Sequence, residues 1–546
     1  MTPLLTLHNP TRSRQYYEAG HWQRDTLYWL LRRNAATRGQ RYALRDSARR
    51  LTWTELRDHV DALAAELRSI GLRPGDRVSV WLPNRVETIM ATLACSRNGY
   101  VCNPSLHQSY TVADVIRLLK RTSSRVLIAQ RGVGADAKRS DVFAAAPAEV
   151  ESLKKVIELA PVGPGVPFGG APGVAGDPPI DDPDKVVLLA FTSGTTGEPK
   201  GVMHSDNTIL ANARAMAREW RHHEDMVLLC LSPLTHAIGT IAMAQSLASG
   251  FELVLNDIPR GSSIMDWLLE SGATYVMGVP THAIDLLVEA GKRGMDKLGK
   301  VEIFYMGGSA VPRELTTALA ARGITPQNAY GMTENSAHHY TRPGDTLDTI
   351  ASSCGRDCGC YEIRIWNPED ADGELAQGEI GEIGGRGACL MLGYFGDQAA
   401  TENAMNRFGW FMSGDLGRVD ERGNLQIIGR KKDVIIRGGR NIYPSRIEDA
   451  ARSHPAVLQA AAFPMPDERL GEKVGIAVVL REGSALAGEE LLAHLDQRGI
   501  SRYDMPEFLA VIEAIPMTPS GKYFKRGLIE QVRDGRVKPA AVCWRG

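Results

Sequence analysis

A short apolar run, Val186 to Ala190, breaks directly into Phe191-Thr192-Ser193-Gly194-Thr195-Thr196-Gly197-Glu198-Pro199-Lys200-Gly201. A buried strand that opens into a loop of small and hydroxyl-bearing residues presents backbone N–H groups, hydroxyls and one ammonium at a sheet edge. That is a cradle for phosphoryl oxygens: glycine lets the backbone approach an anion, and Thr, Ser and Lys add donors. The usual nucleotide loop reads G-x-x-x-x-G-K-S/T. Here Gly194 and Gly197 stand three apart, Pro199 precedes Lys200, and Gly201 sits where a metal-binding hydroxyl is required. The sequence asks for phosphate binding and for a different nucleotide chemistry.

The chain on either side of the loop supplies the scaffold. Thr52 and Glu55 form a capping box, Leu56, Val60, Leu63 and Leu67 recur at helical spacing, and Gly71 stops the helix before a strand at 77–82. Helical patterns at 86–95 and 111–119 and a strand at 126–129 follow. This alternation predicts an α/β fold of parallel sheets covered by helices. Residues 161–183 are dense in Gly, Pro and Ala and read as a loop. Strands at 227–231, 253–255, 275–279 and 301–306 resume the sheet, and ligands in such folds gather at strand C-terminal ends. The alternating stretches between about 336 and 430 predict a β-rich subdomain. Residues 432–546 predict a small α+β C-terminal domain after a large N-terminal domain of 1–431.

At 546 residues the chain exceeds a single core. Its 63 Lys and Arg balance 64 Asp and Glu, so no overall field recruits nucleic acid or an anionic membrane, and phosphate affinity has to be local. No run approaches the ~18 apolar residues of a membrane span, and the first residues lack a signal-peptide pattern; the expectation is a cytoplasmic protein, with pairing of two copies the one oligomeric expectation. Cys95, Cys102, Cys230, Cys389 and Cys543 stand alone and read as buried thiols. The cluster Cys354-x3-Cys358-x-Cys360, even with His338-His339, lacks the C-x2-C spacing of a structural zinc site, so none is expected.

Further blocks follow the loop in order: Ser232-Pro233-Leu234-Thr235-His236, Tyr330-Gly331-Met332-Thr333-Glu334, Ser413-Gly414-Asp415, Gly429-Arg430-Lys431-Lys432-Asp433, Arg437-Gly438-Gly439-Arg440-Asn441-Ile442-Tyr443-Pro444 and Pro519-Ser520-Gly521-Lys522. With the loop, this series resembles the adenylate-forming superfamily of acyl-CoA synthetases, aryl acid ligases, adenylation domains and luciferases. The resemblance implies a large N-terminal domain, a mobile C-terminal lid, and two-step catalysis. A carboxylate attacks the α-phosphorus of ATP to give an acyl-adenylate and pyrophosphate, and a thiol then displaces AMP.

The resemblance also implies roles. Thr192, Ser193, Gly194, Thr195, Thr196 and Lys200 bind the β and γ phosphates. Glu334, beside Thr333, is the Mg²⁺ ligand, since an acidic group facing phosphates needs an intervening cation. Gly308, Ser309, Ala310, Asn328, Ala329, Tyr330, Gly331 and Met332 line the adenine, and Asp415 and Arg430 hold the ribose. Lys522 bridges the acid and the α-phosphate. Lys432 is the hinge, and Gly438, Gly439 and Arg440 meet the pantetheine arm of coenzyme A. The family often carries an acidic residue where Arg446 stands, which puts the contacts of that helix in question.

His236 matches the gate beside the substrate carboxylate, with Ala237, Ile238, Met306, Gly331 and Met332 as apolar pocket walls. No Asp waits there to hold an amino group and no basic residue awaits a second carboxylate. An uncharged, compact monocarboxylate is expected, and the texture of the chain, including Tyr16-Tyr17-Glu18-Ala19-Gly20-His21-Trp22, is similar to bacterial ligases of cyclohexanecarboxylate and related alicyclic, aromatic or medium-chain acids. The leading expectation is an acid:CoA ligase. A free-standing enzyme that loads a carrier protein would share every adenylation block, and with 24 residues after Lys522 such a carrier would be a separate chain. A nucleotide-binding regulator without catalysis is the third reading, which Lys200, Glu334, Asp415 and Lys522 oppose.

Overall fold

In the computed structural model the described residues are 4–165, 168, 177–192, 199–517 and 523–544. They divide into two compact units, one made of the described residues up to Glu362 with Arg386–Ala404, the other of Ile363–Gly385 and the described residues from Met405 onward.

The first unit contains two sheets. One has six strands in the order Lys155–Leu159, Val126–Gln130, Arg77–Trp81, Val101–Asn103, Val186–Phe191 and Gly201–Ser205, parallel except for the last. The phosphate loop joins Val186–Phe191 to its antiparallel partner Gly201–Ser205 and so leaves the strand at its C-terminal end. The other sheet has nine strands. Six run parallel in the order Tyr42–Arg45, Glu252–Leu255, Val227–Cys230, Tyr275–Gly278, Ile303–Gly307 and Thr325–Met332. Antiparallel strands close both edges: Arg50–Thr52 on one side, Ser336–Tyr340 and then Arg356–Asp357 on the other.

The helices form where the sequence period and caps dictate. Trp53–Ser69 starts on the complete Thr52/Glu55 capping box and buries Leu56, Val60, Leu63 and Leu67; losing such a cap costs about 1 kcal/mol. Val112–Thr122 starts on a Thr111/Asp114 box. Val86–Asn98 is buried on every face, including Glu87, where burial pushes the carboxyl up but hydrogen bonds from Arg85 and Arg49 outweigh it and hold it below its usual range. Among the described residues no helix is long and apolar enough to cross a membrane.

The second unit holds most of a five-stranded antiparallel sheet, ordered Asp370–Glu374, Tyr361–Asn367, Gly381–Gly387, Phe411–Val419 and Leu425–Arg430. A 3₁₀ turn, Lys431–Asp433, leads from it into a six-stranded sheet built on Val457–Asp467 and Gly471–Leu480. Helices Pro444–Arg452 and Gly488–Gln497 cover that sheet, and Ile435, Ile447, Ile476, Leu491 and Leu492 share one core. Arg446, the residue at odds with the family pattern, donates to the Gly499 carbonyl at 3.1 Å.

Two features depart from the sequence reading. Ser336–Tyr340 and Arg356–Asp357 extend the nine-stranded sheet, so the five-stranded sheet begins at Tyr361 rather than near 336. The chain turns back on Thr325–Met332 through a tight bend, and such a return looks in sequence like the start of a new sheet. Cys543 is exposed, and Cys389, which stands alone in sequence, lies within 4.8 Å of the sulfurs of Cys358 and Cys360, whereas Cys354 is outside that group.

Candidate active site

The described ends of the phosphate loop are tied to each other. Thr192 N–H donates to the Lys200 carbonyl at 2.9 Å, and Lys200 N–H donates to the Thr192 hydroxyl at 3.2 Å. Lys200 is exposed, and its ammonium lies 4.7 Å from the ring centroid of Tyr394, within cation–π range. The Tyr394 hydroxyl donates to Glu334 Oε1 at 2.9 Å. Burial and the neighbouring Glu334 carboxylate raise the Tyr394 pKa, which keeps the phenol a donor. One aromatic ring therefore joins the loop lysine to the expected metal ligand. Sequence reasoning did not find Tyr394, which lies sixty residues beyond Glu334 in Leu392-Gly393-Tyr394.

Glu334 sits in the bend between Thr325–Met332 and Ser336–Tyr340, and that bend is pinned at several backbone points. His204 Nε2 donates to the Thr333 carbonyl at 2.7 Å, Met391 N–H donates to the Glu334 carbonyl at 2.7 Å, and Asn335 Oδ1 accepts from Met332 N–H at 3.0 Å. The bend also requires Gly331, because a Cβ there would lie 1.6 Å from the Ser336 carbonyl oxygen. A carboxylate is a hard oxygen ligand of the kind Mg²⁺ takes. Glu334 thus fits Mg²⁺ by donor type and by its fixed backbone.

The expected adenine wall collects at strand C-terminal ends. Ile303–Gly307 delivers the exposed Gly308, Ser309 and Ala310, with Gly308 at φ 88°, beside Thr325–Met332 in the register Met306 to Asn328 and Gly307 to Ala329. Asn328 Nδ2 donates to the Ile350 and Ser353 carbonyls at 3.2 and 2.9 Å. Its amide protons are engaged there, and Oδ1 is the atom suited to accept from an exocyclic amine. Tyr330 packs edge-on against His338, ring centroids 5.3 Å apart.

His236 is the N-cap of helix Ala237–Ser249, its Nδ1 accepting from Ile238 N–H at 3.4 Å. Thr235 beside it meets His107 Nδ1 at 3.0 Å. A cavity of about 10 Å³, room for roughly one water, adjoins this segment and is lined by Leu234, Gly239, Thr240 and Met243 with Thr88, Ile89, Thr92, Pro104 and Leu188. Of the expected pocket walls, Ala237, Gly331 and Met332 are partly exposed, whereas Ile238 is buried and Met306 packs into the core with Leu229, Val276 and Phe304.

In the second unit, Asp415 and Arg430 stand directly opposite each other on Phe411–Val419 and Leu425–Arg430, with Arg430 Nε 3.5 Å from Asp415 Oδ1. Gly414, at φ 73°, donates its N–H to Glu382 Oε1 at 3.1 Å, and Lys431 pairs with Glu382 Oε2 at 2.9 Å. Lys432 is the middle residue of the 3₁₀ turn that links the two sheets of this unit. Gly438 and Gly439, at φ 58° and 82°, are the two corner residues of the hairpin joining Ile435–Arg437 to Arg440–Ile442. Left-handed backbone at both corners favours glycine by itself. Arg440 donates to Asp504 Oδ1 at 2.9 Å. Ser193, Gly194, Thr195, Thr196 and Lys522 lie outside the described residues.

Comparison with known proteins identifies the family. The AMP-binding enzyme family matches residues 31–395, and the AMP-binding enzyme C-terminal domain matches residues 446–522. The chain is 30% identical over 528 residues to the medium-chain fatty-acid–CoA ligase of Escherichia coli (strain K12), spanning 95% of this chain and 92% of that protein. It is 31% identical over 538 residues to the salicyl-AMP ligase / salicyl-S-ArCP synthetase of Mycobacterium tuberculosis (strain ATCC 25618 / H37Rv), spanning 95% and 93%. Among solved structures, ATP-bound MatB from Rhodopseudomonas palustris aligns with a TM-score of 0.81 at 26% identity, over 93% of this chain and 99% of that one. The chain belongs to the AMP-binding enzyme family, the adenylate-forming superfamily, and within it to the AMP-forming acyl-CoA synthetases.

Proposed function

We propose that the protein activates an uncharged, compact monocarboxylate with ATP and passes the acyl group to coenzyme A. The observation that carries this reading is the Lys200–Tyr394–Glu334 arrangement at the end of the phosphate-loop strand. It sets a cation for the β and γ phosphates and a carboxylate ligand for a metal on one aromatic ring. Glu334 would hold Mg²⁺, which when bound neutralises charge on the phosphates. Thr192, Ser193, Gly194, Thr195 and Thr196 complete the cradle. Asn328 Oδ1, Tyr330 and the backbone of Gly308, Ser309 and Ala310 receive the adenine, and Asp415 with Arg430 receives the ribose hydroxyls.

His236 positions the acid, whose carboxylate must meet the α-phosphorus in line with departing pyrophosphate. Lys522 bridges the two as negative charge develops, a contribution of about 3 to 4 kcal/mol for one preorganised donor. Rotation about Lys432 then withdraws Lys522 and brings Gly438, Gly439 and Arg440 to the thiol. The 3₁₀ turn at Lys431–Asp433, a short linker between two sheets, supports a pivot there. The apolar Ile89, Leu188, Leu234 and Met243 that line the small cavity beside His236 support an uncharged, compact acid.

A second reading has its own support in the similarity to a salicyl-AMP ligase / salicyl-S-ArCP synthetase: delivery to a carrier-protein thiol. A panel of alicyclic, aromatic and medium-chain acids, scored for AMP release with coenzyme A present, decides. Acid-dependent AMP release coupled to acyl-CoA formation supports the proposal. Pyrophosphate release with acyl transfer solely to a carrier protein supports the second reading, and no acid-dependent turnover across the panel defeats both.

A further inference from the structure

Three of the eight cysteines converge on one buried point that adenylation does not use. Cys358 and Cys360 flank Gly359, whose φ of 71° folds the chain sharply between Arg356–Asp357 and Tyr361–Asn367. Cys389 comes from the turn after Gly381–Gly387. Backbone pairing brings these segments together: Ala388 N–H donates to the Cys360 carbonyl at 2.8 Å, and Cys358 N–H to the His338 carbonyl at 2.9 Å. The three sulfurs lie within 4.8 Å of one another, with Cys358 and Cys360 3.2 Å apart, and the residues are 0%, 4% and 0% exposed.

A buried cysteine by itself is an ordinary small apolar side chain. Three sulfurs meeting from two separate segments have the shape of a chelate. Zinc–sulfur bonds of about 2.3 Å place tetrahedral thiolates roughly 3.8 Å apart, and trigonal ones roughly 4.0 Å, so small side-chain rotations close the cluster on an ion. Ions with filled d shells impose little geometry, and thiolates select Zn²⁺ and Cu⁺ over harder ions. A buried histidine adjoins the cluster through the backbone. His338 is buried, with its ring packed 4.3 Å from that of Tyr361, and its Nε2 has no hydrogen-bond partner. His338 lies outside the three-sulfur group and adjoins it through the Cys358 N–H that its carbonyl accepts, so a fourth, tetrahedral position would require its ring to move in, whereas trigonal coordination needs no fourth ligand.

We propose that Cys358, Cys360 and Cys389 form a thiolate site for one thiophilic, filled-shell cation, Zn²⁺ or Cu⁺. Each thiol releases its proton on coordination, and the site clips the Cys358–Cys360 bend to the Cys389 turn. In the metal-free thiol form Cys389 donates to the Asn335 carbonyl at 3.3 Å, next to Glu334; coordination exchanges that hydrogen bond for a bond to the ion, so loading the site is felt at the bend that carries the expected magnesium ligand. The spacing of Cys354, Cys358 and Cys360 hides this site, because the third sulfur comes from residue 389 and not from Cys354.

The test uses the full-length chain, reduced and stripped of metal, titrated separately with Zn²⁺, Cu⁺ and, as a spectroscopic probe, Cd²⁺. The expected result is one equivalent bound per chain, three protons released, and a thiolate-to-cadmium charge-transfer band. Cys389→Ser and Cys358→Ser lose the band and weaken Cd²⁺ by more than the roughly 100-fold that an outer contact costs, whereas Cys230→Ser and Cys543→Ser keep both. A zinc affinity that falls in His338→Ala, with Cu⁺ unaffected, identifies the tetrahedral ion; tight Cu⁺ with no zinc uptake identifies the trigonal one. The wild-type titration stands without any variant. If the chain binds none of the three ions, or no more than a chain alkylated at cysteine, or if peptide mapping of the isolated protein finds a Cys358–Cys360 disulfide, the proposal is wrong.

Discussion

The Tyr394 hydroxyl donates to Glu334 at 2.9 Å while the face of the same ring lies 4.7 Å from the Lys200 ammonium. Tyr394→Phe separates the two contacts, since it keeps the ring and removes the donor. Because an oriented carboxylate ligand loses about 10- to 100-fold when its supporting contact goes, acid-dependent pyrophosphate exchange in Tyr394→Phe is expected to fall by that range. Raised Mg²⁺ should recover part of the loss, and acyl transfer from supplied acyl-adenylate should change little. A loss that ignores Mg²⁺ concentration would count against the positioning role of Tyr394.

Gly331→Ala puts a Cβ 1.6 Å from the Ser336 carbonyl oxygen, and neither partner can move without opening the hairpin. Overpacking of this kind costs about 1 to 3 kcal/mol or more. Thermal unfolding should show the loss of stability, and adenylation should fall beyond what that loss explains, because the displaced bend carries Glu334. Adenylation at the wild-type rate in a destabilised variant would uncouple the bend from the chemistry.

His107 and His204 are buried, and desolvation lowers both to about 4. In the unfolded chain each titrates near 6.5, so between pH 4 and 6.5 the unfolded state binds more protons. Stability is then fully present above pH 6.5 and is lost as pH falls towards 4, by about 3 kcal/mol per histidine at the lower end. Denaturant unfolding across this window is the measurement, and a His204→Gln variant should show a shallower slope. A flat profile from pH 6.5 to 4.5 would contradict the burial of these imidazoles as neutral groups.

Lys522→Ala is expected to abolish acyl-adenylate formation and to leave thioester formation from supplied acyl-adenylate within a few-fold of wild type, since the proposed pivot withdraws Lys522 before the thiol arrives. The two half-reactions, assayed separately, give the answer. Equal loss in both would remove the basis for alternation about Lys432.

Much of this arrangement was legible from residue types. Thr52 with Glu55 announced the helix Trp53–Ser69, and Val186 to Ala190 announced the strand Val186–Phe191 that leads into the glycine-rich loop. Local chemistry carried those readings: caps bond within four residues, and a loop's glycines serve its own backbone. Tyr394 and Cys389 were not legible, because each acquires its meaning from a partner far along the chain, Glu334 and Cys360, through pairing that only the folded sheet creates.

The hairpin corner at Gly438 and Gly439 has one more implication. Two successive left-handed glycines permit the contour of this tip, and what restrains it is its base, where Arg437 and Arg440 are anchored to Glu507 and Asp504 at 3.0 and 2.9 Å. A tip that carries its own shape has little conformational freedom left to surrender when an incoming thiol chain lies against it. In the proposed role of Gly438, Gly439 and Arg440, part of the entropic cost of receiving the second substrate is met during folding.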